Sequence, residues 1–246
     1  MDYVVAIPSY KRHITLKEKT LKMLNEQCVL HTRIHIFCVP EEEELYKQSC
    51  QGYKIIPGVK GLVAQRNFIY DYFPEETKIL FIDDDVSDLC LLQATVPFAD
   101  VINLAFENSE KQKCRLWGIY PVANTYFMKP RMTTDLRYIV GCMFGLIKRG
   151  ESLMKSPTDD KEDVWNSCAY YKADGKVLRL NFIAPITKYF KEPGGLQETR
   201  TAETIREGAV AVKDAFPELC SMYVRKRTGN YEIRLKDKSS KKTVSP

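Results

Sequence analysis

Apolar runs of strand length, each followed by a polar loop and a stretch with helical spacing, recur through the first third of the chain. Residues 3–7 are a first buried strand, broken by Pro8. The next helix is expected to start with Thr15 as its cap and to run to about residue 28, with Leu16, Leu21 and Leu24 on its apolar stripe. Strands at 33–39 and 53–56 flank a helix at 41–48, and a glycine-punctuated loop, 57–67, enters a helix that continues to Tyr72. Residues 78–82 are a buried strand that ends in Asp83, Asp84 and Asp85. The pattern is β-α-β-α-β-α-β, half of an α/β sheet. Beyond it, strands are expected at 116–121, 138–147 and 176–182 and helices at about 156–171 and 203–216, the last ended by Pro217. Gly141 and Gly145 mark a strand that something approaches closely. A basic hairpin over 223–236 turns at Gly229 and Asn230.

The three acids are the strongest chemical signal. Carboxylates just past a strand's C-terminal end stand in the crevice where open α/β sheets bind ligands. Clustered negative charges stay ionised only beside a cation, and oxygen ligands at Asp83 and Asp85 suit Mg²⁺ or Mn²⁺. The expectation is a metal site that receives a diphosphate. A solvated acidic turn, a haloacid-dehalogenase-type phosphatase loop and a receiver-like pocket are rival readings. Ser87 stands where the phosphatase loop carries Thr or Val, and no separate phosphorylatable Asp stands out for a receiver.

Other candidates lie at neighbouring loops. Pro8, Ser9, Tyr10, Lys11 and Arg12 follow the first strand, with Tyr10 placed to stack on a base and the cations to meet phosphate. Glu41 is a candidate for ribose or base. Gly61 opens a helix N-terminus to a phosphate, and Arg66 and Asn67 follow one or two turns in, on the crevice side. Trp117, Tyr120, Asn124 and Tyr126 are candidates for an acceptor surface. Asp159 and Glu162 have the spacing of a capping box. The three histidines have no metal-ligand spacing.

Composition narrows the class. The 246 residues, 44% hydrophobic and 28% charged, suit a globular chain with a large core, as one domain with additions or two small ones. No apolar stretch reaches membrane-span length, and the acidic start argues against a signal peptide. Eight scattered cysteines with no Cys-x-x-Cys pair point to reduced, buried thiols in a cytosolic protein. The net charge of +5 is uneven: from Arg225 onward eight Lys or Arg face two acids, a surplus that fits nucleic acid or another polyanion.

Together, the loop at residues 7–12, Gly61 to Asn67, and Ile82 with its three acids resemble the GT-A glycosyltransferases. Trp117 to Pro121 with Asn124, the Ile139-Val140-Gly141 run, the Glu162-Asp163 pair and Gly194-Gly195-Leu196 with Arg200 resemble one branch of that family. This branch is the TET/JBP-associated glycosyltransferases of phages and eukaryotic viruses, related to the base J glucosyltransferase. The resemblance spans roughly residues 3–219. It implies a single GT-A domain over residues 1–235, with a nucleotide-sugar half at 1–90, an acceptor half at 91–235 and a basic, disordered tail at 236–246. It implies a UDP-sugar donor, Mn²⁺ or Mg²⁺ on Asp83 and Asp85, and donor contacts from Asp84, Lys191, Gly194, Gly195 and Arg200. Asp163, or Glu162 in its place, would be the base of an inverting transfer. The hydroxymethyl group of a modified pyrimidine in DNA would be the acceptor, in the cytoplasm of a host cell. No histidine follows the Glu-Asp pair, a departure from the many GT-A enzymes that use a late His on the metal. A glycan, protein or lipid acceptor would share every donor-side feature, and a non-catalytic nucleotide-sugar- or DNA-binding module would keep the fold.

Overall fold

The computed structural model describes residues 2–92, 96–187 and 194–237. Its centre is an eight-stranded mixed sheet in the order β3-β2-β1-β4-β8-β6-β9-β7. The parallel half is β1 (Val4–Pro8), β2 (Ile34–Cys38), β3 (Lys54–Pro57) and β4 (Lys78–Ile82), joined by helical crossovers. The first crossover is α1 (His13–Leu16), a π-helical stretch (Lys17–Leu21) and α2 (Lys22–Glu26). The others are α3 (Glu43–Ser49) and α4 (Leu62–Tyr72).

In the second half, β5 (Asp88–Leu91) leads to α5 (Phe98–Gln112), β6 (Leu116–Ile119), the short β7 (Met132–Thr133) and β8 (Met143–Ile147). Then come α6 (Glu162–Asp174), β9 (Leu178–Leu180), β10 (Ile183–Ile186), α7 (Ala202–Ala215) and the hairpin β11 (Cys220–Val224) with β12 (Tyr231–Leu235). β8 inserts antiparallel between β4 and β6, whereas β6 and β9 are parallel to each other.

Side-chain alternation sorts the core into two layers. Val5, Ile7, Leu80 and Ile82 face one side of the sheet, packed with Leu16, Leu24, Val101 and Phe106 from α1, α2 and α5. Ala6, Ile79 and Phe81 face the other, against Ile69 and Tyr70 of α4 and Tyr170 of α6. A third cluster, Val164, Cys168, Val212, Phe216 and Cys220, fastens α6 to α7 and the hairpin. Six of the eight cysteines are buried; Cys28 is exposed and Cys90 half-buried.

Several expectations shift. The first helix starts at His13 with Arg12 at its cap position and no side-chain cap, so Thr15 lies inside the first turn. The strand expected over 138–147 forms only from Met143; before it, the Ile139 amide donates to Ser167 Oγ and the Gly141 carbonyl accepts from Arg66. Of the tail expected at 236–246, all but Lys236 and Asp237 lies outside the described residues.

Gly145 bears out the close approach: the Trp117 ring lies flat where a side chain would stand, edge-on to Phe106 at 5.2 Å. Trp117 is 1% exposed, so it is a core residue and not part of an acceptor surface. Gly145→Ala should therefore overpack this layer and lower unfolding free energy by about 1–3 kcal/mol, measured by urea denaturation.

Candidate active site

β1, β4, β6 and β9 point the same way, so their C-terminal ends share one edge of the sheet, and a cleft of about 570 Å³ opens there. Its lining includes Pro8, Ser9, Tyr10 and Arg12 after β1, Gly61 and Arg66 of α4, and Asp83, Asp84 and Asp85 after β4. From the second half come Tyr138, Gly141, Glu162 and Asp163, with Gly195 and Arg200 beyond. Residues far apart in sequence thus converge as expected.

The acidic turn is held from beneath. Thr20, fully buried on the π-helical stretch, donates to the Asp83 carbonyl at 2.8 Å and accepts from the Val86 amide at 3.0 Å. The three carboxylates then differ. Asp84 is buried, accepting from Ser9 Oγ at 2.6 Å and Arg12 at 3.1 Å, and burial pushes its carboxyl up to about 7. It is thereby a strut rather than the donor contact expected of it. Asp85 accepts from Thr187 Oγ1 at 3.1 Å and from Arg12 at 3.3 Å. Asp83 has the most open side chain of the three, 32% exposed, and accepts from Arg66 at 3.1 Å; desolvation raises it to about 6.

Arg66 is the pivot of the cleft. It is 1% exposed, and its guanidinium bonds Asp83 on one side, the Gly141 carbonyl at 2.7 Å beneath, and Glu162 on the other. It therefore joins the two halves from a position on the cleft lining. A side chain at Gly141 would stand 2.7 Å from Glu162 Oε1 and 3.2 Å from the guanidinium, so this junction needs glycine.

The Glu-Asp pair divides. Glu162 is buried on Arg66 and accepts from Asn166 Nδ2 at 2.9 Å; burial raises its carboxyl to about 7. Asp163 is less buried: Oδ1 accepts from the Val164 amide at 2.8 Å and Oδ2 accepts from the Tyr138 hydroxyl. The capping box expected from Asp159 and Glu162 does not form. Asp159 accepts from the Val63 amide at 2.8 Å, capping α4 across the cleft, and Lys161 occupies the cap position of α6. Asp160 takes Arg200 Nε at 2.6 Å and Thr204 Oγ1 at 2.6 Å, tying the 194–201 segment to the rim.

Other expected contacts separate. Gly194 accepts Arg12 Nη2 at 2.9 Å, and Gly195 lies against the same guanidinium. Glu41 is exposed and away from the cleft lining; its neighbour Glu42 takes the Lys11 amide at 2.9 Å. Asn67 ties Val63 and Met154 carbonyls and is structural. Lys191 lies outside the described residues. Tyr120 is half-buried beside Arg179, whereas Asn124 is exposed and Tyr126 is 79% exposed, on the loop after β6. Tyr138, Thr187 and Lys161 were not singled out, although Tyr138 adjoins the Ile139-Val140-Gly141 run and Lys161 adjoins the Glu162-Asp163 pair.

Four carboxylates, Asp83, Asp84, Asp85 and Glu162, share the guanidiniums of Arg12 and Arg66, and a fifth, Asp163, is held by the Tyr138 hydroxyl and the Val164 amide alone. That deficit of positive charge and the all-oxygen donor set fit a hard divalent cation. Among the described residues no cluster of three or more His, Cys, Asp or Glu side chains has ligand geometry, so Asp83 and Asp85 supply at most part of a coordination shell.

Replacing Arg66 by Met leaves Asp83 and Glu162 facing one another without a cation, which should cost about 3–5 kcal/mol in stability. Because Glu162 sits at about 7 when folded against an ordinary 4.5, its contribution to stability already falls as pH rises through that window. Without Arg66 its carboxyl shifts further up, so the deficit should be larger at pH 8 than at pH 5, read by denaturation at both.

No protein-family model and no curated protein matches the sequence. Solved structures match in fold. TarS residues 1–349 of S. aureus, in complex with UDP-GlcNAc, superposes with a TM-score of 0.54 at 15% identity over 87% of this chain and 67% of that one. Glucosyl-3-phosphoglycerate synthase from Mycobacterium tuberculosis, with Mn²⁺, UDP and glucosyl-3-phosphoglycerate, gives 0.53 at 10% identity over 95% of this chain and 86% of that one. Its complex with Mg²⁺ and UDP gives 0.53 at 12% identity, with the same shares. The chain therefore has the single-domain mixed α/β fold of the GT-A nucleotide-sugar transferases.

Proposed function

We propose that this chain is a glycosyltransferase that moves a sugar from a UDP-sugar to an acceptor hydroxyl with inversion. Residues 1–90 form its donor half and residues 91–235 its acceptor half. The observation that carries the reading is that one cleft of this fold brings together the Asp83–Asp85 turn and the Glu162–Asp163 pair, with Arg66 bridging Asp83 to Glu162. The similar structures hold UDP-GlcNAc in one case and UDP with Mn²⁺ or Mg²⁺ in the other, which supports the donor class.

Asp83 and Asp85 would hold a divalent cation such as Mn²⁺ or Mg²⁺, which when bound supplies positive charge against the departing diphosphate. Tyr10 offers its ring to the donor base, and Gly61 adds no side chain to this wall of the cleft. Arg12 and Arg200 both line the same cleft. Asp163 accepts the proton of the acceptor hydroxyl as that oxygen bonds to the anomeric carbon and the bond to the UDP oxygen breaks. The Tyr138 hydroxyl and the Val164 amide fix its carboxylate and leave lone pairs toward the cleft. Glu162 is less suited to the role because Arg66 and Asn166 already occupy it.

The acceptor we favour is the hydroxymethyl group of a modified pyrimidine in DNA. Exposed Tyr126, on the loop after β6, and the surplus of basic residues from Arg225 onward support it. Incubation of hydroxymethylated DNA with a panel of nucleotide sugars, followed by mass spectrometry of the nucleosides, tests it directly.

Two substitutions test the division of labour. Asp163→Asn should lower transfer by roughly 10²–10⁴-fold with UDP affinity unchanged by calorimetry; retained turnover removes Asp163 from the reaction. Asp85→Ala should abolish the gain in UDP affinity that Mn²⁺ brings, and an undiminished gain would sink the metal assignment.

A further inference from the structure

The hairpin lies along α6 with a definite direction. At one end Cys220 packs with Cys168 and Val212, and Glu218 pairs with Lys172 near the far end of the helix. At the other, Glu232 pairs with Lys161, which lines the cleft. Helix α7 repeats the direction, with Val212 beside Cys220 and Arg206 beside Tyr231 near its cleft end. The turn at residues 225–230 therefore continues past Lys161 on the cleft side.

That turn is built firmly and carries unspent charge. The Arg225 amide donates to the Asn230 carbonyl at 2.9 Å, and the Gly229 amide to the Arg225 carbonyl at 2.8 Å with Gly229 at φ +72°. Arg225, Lys226 and Arg227 are exposed and have no carboxylate partner among the described residues. On the other side of Asp163, contacts run through Tyr138 to Arg179 and Tyr120, where the loop after β6 begins. That loop presents Tyr126, 79% exposed, and Phe127, 57% exposed, as an edge-to-face pair at 4.9 Å. Fixed cations on one side and open aromatic faces on the other are the two components of a single-strand nucleic-acid surface.

We infer that the turn at 225–227 and the Tyr126–Phe127 pair form a nucleic-acid binding surface that flanks Asp163. The cations take backbone phosphates and the rings stack an unpaired base. This rests on the reading of Asp163 as the acceptor side, and it adds that the acceptor is held as a strand whose reacting nucleotide is unstacked.

The test is binding of a fluorescein-labelled 20-nucleotide single strand across a KCl series, without donor. Wild-type protein should bind with a steep salt slope. The triple variant R225A/K226A/R227A should flatten the slope of log K against log salt by about 2, three phosphate contacts at about 0.7 each. Tyr126→Ala with Phe127→Ala should weaken binding about tenfold or more while leaving the slope in place, since stacking releases no counterions. Equal melting temperatures secure the fold of both variants. An unchanged slope in the triple variant overturns the proposal, as does competition by polyphosphate equal to that of the oligonucleotide with no effect of the ring changes. UDP binding, measured separately without DNA, tests the donor reading: its absence leaves the DNA result standing, and loss of DNA binding with UDP intact removes this surface alone.

Discussion

The guanidinium of Arg66 sits where the end of β4, the 138–142 segment and the start of α6 meet, almost without solvent. A buried cation is tolerated only where several acceptors surround it, and the geometry of those acceptors is then not free to vary. Asp83 belongs to the first half of the chain; Glu162 and the Gly141 carbonyl belong to the second. One charge thus fixes the distance and angle between the two walls of the cleft. Helix α4, which carries Arg66, is itself capped by Asp159 from the loop before α6, so each wall braces the other twice.

The same arrangement explains the uneven acidity around the cleft. Two guanidiniums cannot neutralise the four carboxylates that bond them, and burial lifts Asp83, Asp84 and Glu162 above the ordinary carboxylate range. The protein holds these groups at a cost that a bound cation or a charged network must offset. Asp84 and Glu162 are absorbed by Ser9, Arg12, Arg66 and Asn166. Asp83, Asp85 and Asp163 are half-buried on the cleft lining.

What the sequence made legible follows from what local patterns encode. Strand-length apolar runs and the switch to acids after Ile82 are local, so β1 to β4 and the position of Asp83–Asp85 could be anticipated. Helix α5 was legible too, since Phe98, Val101, Ile102, Ala105 and Phe106 fall at helical spacing, though the expectations passed over it. Partners distant in sequence were not legible. Asp159 has the spacing of a local cap but serves Val63, 96 residues away, and the Tyr138 hydroxyl meets Asp163 from 25 residues upstream. Trp117 carries the same letters whether it stacks on a ligand or under Gly145; only the register of β6 on β8 decides.

The Glu162-Asp163 pair shows how structure separates residues that sequence leaves equivalent. Adjacent positions in a helix project roughly 100° apart, so two neighbouring carboxylates at a helix start cannot share one environment. One turns toward Arg66 and the interior, the other toward Tyr138 and the cleft. The inward residue sets the position of α6 through a buried ion pair. The outward residue inherits that position without having to contribute to it, and its carboxylate stands on the cleft lining, held by the Tyr138 hydroxyl and the Val164 amide. A single glutamate or aspartate could not do both, because a carboxylate turned toward Tyr138 and the cleft would leave the buried guanidinium short of a partner.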